Sequence, residues 1–97
     1  MATFIMLGNF TEQGIRTVQD TTKRADAFRE QTKNAGVTLR DVYWTLGSYD
    51  IVAVCEADDD ASAAAALMKL ASQGNVRTQT LRAFSRDEMQ NVLSKMR

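Results

Sequence analysis

Apolar residues follow two rhythms along this chain. Thr3-Phe4-Ile5-Met6-Leu7 is a short apolar run closed by Gly8-Asn9, too short for a helix and bounded as strands are, so it predicts a buried strand. From Thr11 to Gly36 the spacing changes: Ile15, Val18, Thr22, Ala25, Phe28, Thr32 and Ala35 recur every three or four residues, which places them on one helical face. Thr11 fits an N-cap and Gly36 a left-handed terminator. Asp20-Thr21-Thr22 compete for backbone hydrogen bonds, which leaves two readings: one long helix, or a break with a second helix recapped at Thr21.

β-Branched and aromatic side chains fill Val37 to Leu46, Gly47-Ser48-Tyr49-Asp50 supplies a turn, and Tyr49 to Glu56 makes the next strand; the two predict a hairpin. Asp58, Asp59 and Asp60 set carboxylates where a helix would begin, favourable against its positive end. Ala61 to Ser72 is that helix, and it stops at Gly74-Asn75. Val76 to Phe84 is a fourth strand, Val76, Thr78, Thr80, Arg82 and Phe84 alternating with Arg77, Gln79, Leu81 and Ala83. Ser85 and Glu88 fit a capping box, with Phe84 and Met89 placed for a hydrophobic staple. Met89, Val92, Leu93 and Met96 then form one apolar stripe on a last helix.

The order βαββαβ plus a C-terminal helix predicts an α+β, ferredoxin-like sandwich, with an antiparallel sheet in spatial order 4-1-3-2 and both main helices on one face. The first and third strands are then central, and they are the two that are apolar on both faces: Phe4 and Met6 against Ile5 and Leu7, Val52 and Val54 against Ile51, Ala53 and Cys55. Such strands are usually covered on both sides, yet the helices cover only one. The proposed edge strands carry Arg40, Asp41, Arg77, Gln79 and Arg82, as edges that avoid stray pairing do. The open face therefore calls for a cover, either the C-terminal helix or a second chain, and a homodimer or a multiple of dimers is the expected assembly.

Composition narrows the chemistry. At 97 residues and 10.8 kDa the chain makes one domain, residues 1–97. Twelve basic residues balance twelve acidic ones and there is no His, no Pro and one Cys. Metal sites built from Cys and His, and Ser–His or Cys–His nucleophiles, are thereby excluded within one chain; neither metal nor cofactor is expected. One Cys forbids an internal disulfide and suits a reducing compartment. No signal-peptide pattern opens the chain and no apolar run approaches a membrane span, so a cytoplasmic protein without a membrane partner is expected. Zero net charge and the absence of an aromatic from Ile51 to Glu56 argue against nucleic acid as a partner.

Gly47-Ser48-Tyr49-Asp50, the strand from Ile51 to Glu56 with its following Asp run, and the stretch Gly74 to Phe84 resemble the GYD family. Ile5-Met6-Leu7-Gly8, followed by Thr11 and Gly14-Ile15, extends the resemblance over nearly the whole chain. Ser48 stands where relatives often carry a basic residue, and Pro is missing near positions 12 and 22. The resemblance implies a bacterial protein with a dimeric α/β-barrel fold and no established activity.

Candidate site residues each have two readings. Trp44 and Tyr43 point to opposite faces of the second strand; one can stack on a ligand, or both can pack. Tyr49 and Asp50 form either a donor–carboxylate pair at a pocket rim or a packed residue beside a turn hydrogen bond. Glu56, if buried, is a candidate general base; otherwise it is open to water or pairs with Arg77 or Arg82. Arg82 either clamps an anionic ligand or makes a cross-strand pair. Cys55 is expected to be a small buried hydrophobe. These readings favour a homo-oligomeric binding module joined sheet to sheet, with room for a small organic ligand in an apolar pocket. A cofactor-free oxygenase or isomerase, and a ring- or cage-forming assembly protein, are the alternatives.

Overall fold

Strand β1 (Ala2–Phe10) lies inside a four-stranded antiparallel sheet, flanked by β3 (Ile51–Ala57) and β4 (Val76–Ala83), with β2 (Val37–Trp44) outside β3. This is the expected order 4-1-3-2, seen in a computed structural model that describes residues 1–96. The two strands that are apolar on both faces are the central pair. Helices α2 (Thr21–Lys33) and α3 (Asp60–Ser72) cover one face, α2 over β2 and α3 over β3 and β4. Between helices and sheet sits a single core that includes Phe4, Met6, Phe28, Val37, Leu39, Ile51, Ala53, Cys55, Leu67 and Val76.

The helical rhythm after β1 is broken. A five-residue helix, α1 (Glu12–Arg16), capped by the Thr11 hydroxyl accepting from the Gly14 N–H, gives way to a 3-10 turn at Val18–Asp20 before α2 begins. The recapping falls at Asp20, whose side chain makes no cap hydrogen bond, so the second N-cap at Thr21 is not formed. The break also rotates the face: Phe28 and Thr32 are buried as expected, whereas Ile15 is 52% and Val18 36% exposed. Arg24 holds the bend, donating to the carbonyls of Gly14 and Thr17.

Helix α1 is latched to the turn between α3 and β4. The Thr11 hydroxyl donates to the Gly74 carbonyl and its N–H to the Asn75 carbonyl, while the Gln13 amide donates to Gln73 and Asn75. Gly14 is the point of closest approach, buried against Asn75.

β2 changes parity part-way. Val37 and Leu39 face the helices and so do Val42 and Trp44, because a bulge between Leu39 and Asp41 inserts one extra residue, as bulges on edge strands commonly do. The 3.0 Å bond from the Phe10 N–H to the Asp50 carboxylate and the 2.8 Å bond from the Asp50 N–H to the Gly8 carbonyl then tie the hairpin turn to β1.

The last helix, α4 (Arg86–Ser94), has the expected capping box, with Ser85 and Glu88 bonded reciprocally. It buries none of its residues and packs broadly against no other element, so it does not cover the open sheet face of its own chain. The molecule measures 51 × 32 × 18 Å with a radius of gyration of 14.5 Å, against roughly 13 Å for a compact domain of this length; α4 projects.

Candidate functional site

The sheet face opposite the helices is ordered into cross-strand rows by the pairing register. One row runs Tyr43, Val52, Leu7, Gln79; the next runs Asp41, Val54, Ile5, Leu81; a third runs Thr38, Glu56, Thr3, Ala83. Aliphatic side chains occupy the middle of the first two rows, with Tyr43, Gln79 and Asp41 at three of the ends and Leu81 at the fourth. Ile5, Leu7, Val52 and Val54 are only half-buried, Leu81 is 42% exposed and Tyr43 58%. Each is a branched or aromatic strand former placed outward by the period of two.

The polar rim is internally paired. Arg40, freed by the bulge to reach along the strand, bonds Glu56 at 2.6 Å. The Tyr49 hydroxyl donates to the Gln79 amide oxygen at 3.1 Å. An apolar centre with a paired polar border is the anatomy of a protein–protein contact.

The sequence-predicted site residues do not converge. Tyr49 and Glu56 sit at opposite ends of the open face. Glu56 takes Arg40 as its partner rather than Arg77 or Arg82, because Arg82 points to the helix side of β4 and Arg77 stands opposite Asn9 at the far end of the sheet. Asp50 is committed to the Phe10 N–H. Trp44 is on the helix side, its indole N–H donating to the Thr21 hydroxyl at 2.9 Å. The Arg82 guanidinium lies over the rings of Phe4 (5.7 Å) and Phe84 (4.7 Å) and pairs with Glu88 at 3.6 Å. Cys55 is buried, and desolvation pushes its thiol pKa up to about 11. Arg40 and Gln79 complete the rim; only the register, which no local pattern encodes, pairs them with Glu56 and Tyr49.

Under α2, beside Trp44 and Arg24, lies an apolar cavity of about 50 Å³. That admits a water molecule or two and falls well below the roughly 300 Å³ of ordinary ligand sites. Two shallower apolar grooves flank α3: one of about 350 Å³ towards α2 and one of about 290 Å³ towards β4. Among the described residues no group of three or more His, Cys, Asp or Glu is placed to hold a metal ion, and no helix is long and apolar enough to cross a membrane.

This architecture defines a class: a ferredoxin-like α+β domain whose sheet keeps one apolar face uncovered. Within that class the chain belongs to the GYD domain family, whose model matches residues 4–93. It is 40% identical over 85 residues to the glutamine synthetase and cystathionine beta-lyase binding protein of Thermus thermophilus, covering 87% of this chain and 90% of that protein. The crystal structure of TTHA0845 from the same organism is similar in fold, with a TM-score of 0.57 and 25% identity, covering 88% of this chain and 95% of that one.

Proposed function

We propose that this protein is a homodimeric interaction module. Two copies stack through their open sheet faces, and the assembled pair binds other proteins. The observation that carries the reading is the pair of half-buried apolar rows Val52–Leu7 and Val54–Ile5, on a face that no element among the described residues covers. Sheets pack face to face at about 10 Å and at a small angle, which buries both apolar centres and leaves the Arg40–Glu56 and Tyr49–Gln79 pairs at the border. The relative's name supports the second half: its partners are a glutamine synthetase and a cystathionine beta-lyase, and we assign enzymes of that kind as the partners here.

Sedimentation velocity at micromolar concentration tests the dimer. The expected species has twice the 10.8 kDa chain mass, and Leu7→Asp, which sets a charge in the middle of the apolar row, weakens that self-association. A wild-type protein that sediments only as a single chain sinks the pairing. Partner binding is tested with purified glutamine synthetase and purified cystathionine beta-lyase by titration calorimetry; absence of heat with both removes that assignment and leaves the dimer standing.

A further inference from the structure

Two unpartnered apolar features of this chain are complementary. One is the stripe along α4, Met89 (43% exposed) and Leu93 (45%), continued by the flanking Phe84 (53%) before the helix and Met96 (74%) after it. The other is the groove of about 290 Å³ between α3 and the edge strand β4, walled by Ala64, Leu67 and Met68 on one side and Thr78 and Thr80 on the other, with Phe4 as its floor. Met68 is 72% exposed at the lip. We infer that α4 of one copy docks into the α3–β4 groove of a second copy, as a reciprocally exchanged arm.

The groove's own α4 is held away from it. Arg82 lies between the Phe4 and Phe84 rings and pairs with Glu88, and the Ser85–Glu88 capping box fixes the first turn of α4. Together these set the exit direction of the helix, and they would have to be broken for α4 to fold back on its own chain. No such cost attaches to a helix arriving from a second copy.

Charge and length agree with that occupant. Asp60, at the N-terminal end of α3, lines the groove, and Lys95 borders the stripe at the C-terminal end of α4. A docked α4 running antiparallel to α3 brings the two together and opposes the helix dipoles favourably. From Met89 to Met96 the stripe is roughly 10 Å long, and the groove wall from Asp60 to Ala71 roughly 16 Å, at about 1.5 Å per residue. The arm contact is a separate surface and does not require the sheets to be stacked.

Cross-linking between two singly substituted full-length chains tests this. Ala64→Cys and Leu93→Cys both alter exposed positions, and native Cys55 is buried. On mild oxidation of an equimolar mixture, the heterodisulfide joining the Ala64→Cys chain to the Leu93→Cys chain is expected at least fivefold above either homodisulfide. The chain carrying both substitutions is expected to form interchain rather than intrachain bonds. Predominant intrachain closure would show that α4 folds into its own groove, and no preferential disulfide in a folded mixture would show that the groove is not its site; either overturns the inference. The experiment is repeated in the Leu7→Asp background. A heterodisulfide that persists there identifies the arm contact even if sheet stacking fails. In both backgrounds Leu93→Asp is expected to raise the dissociation constant of the arm contact at least tenfold, and an unchanged constant would overturn the assignment.

Discussion

A Cβ placed on Gly14 would lie 1.9 Å from the carbonyl oxygen of Asn75. The two residues stand far apart in sequence, yet the backbone of α1 rests directly on the turn that feeds β4, and Thr11 and Gln13 bond that turn from either side. Gly14-Ile15 and Gly74-Asn75, which are among the features that give the chain its family likeness, are thus the two halves of one contact.

Gly14→Ala should therefore destabilise the protein, although alanine favours helix by about 1 kcal/mol over glycine. The steric conflict is with backbone on both sides, so α1 or the turn has to move, at a cost of about 1–3 kcal/mol. Chemical denaturation measures it; a variant as stable as wild type would show that the latch yields freely.

Asp50→Ala removes the acceptor of the Phe10 N–H and should cost about 1–3 kcal/mol, since the remaining partly buried donor is left without its charged partner. Asp50→Asn keeps an acceptor oxygen and should lose less. Thermal melts should rank wild type above Asp50→Asn above Asp50→Ala, with about 4–8 °C per kcal/mol for a domain of this size.

Cys55 should resist thiol reagents at pH 8 in the folded state and react on unfolding, because the thiolate is the nucleophile and burial holds the thiol pKa up to about 11. The linkage has a definite sign. The folded pKa lies above the ordinary thiol value of 9.0, so the neutral thiol's contribution is complete below pH 9 and is lost as pH rises from there through about 11. Cys55→Ala should flatten that part of the alkaline stability curve.

Acid should loosen α4 through Glu88. Its carboxylate accepts from the backbone N–H and side chain of Ser85 and lies near Arg82, which together lower its pKa. The capping contribution is present in full above the ordinary glutamate range and falls away as pH drops below it, through the depressed pKa. Far-UV circular dichroism between pH 6 and 3 should show an acid-induced loss of helix that is smaller in Glu88→Gln. Asp59, lowered in the same way by its N-cap bond to Ser62, should account for part of what remains.

Most of the fold was legible because its signals are local. Short apolar, β-branched or alternating runs bounded by turn residues placed the strands, and Ser85 with Glu88 declared the last helix start. The strand order followed from the element order βαββαβ, with which the two strands apolar on both faces agree. What local pattern could not carry was a choice among distant partners. Ile15 and Val18 matched the helical period, but Ile15 precedes the break at Val18–Asp20 and Val18 lies in it, so neither shares the helix of Phe28. Glu56 had several arginines within plausible reach, and the bulge after Leu39 delivered Arg40 to it. Trp44 and Arg82 belong to the helix side and Tyr49 and Glu56 to the open side, a separation set by strand register rather than by residue type. The outward projection of α4 was not legible either, because an amphipathic stripe states that a helix needs a partner without naming it.

At 18 Å across its thinnest direction, the chain is a single sheet with a single layer of helices. Its core side chains are separated from the far surface by one thickness of backbone. In the proposed pair, each core would be insulated by the other chain's sheet, so association stabilises the fold by mass action. The melting temperature should then climb with total protein concentration, and dilution alone should shift the chain towards unfolding. The cell's supply of this protein would then set the fraction that is folded as well as the number of copies.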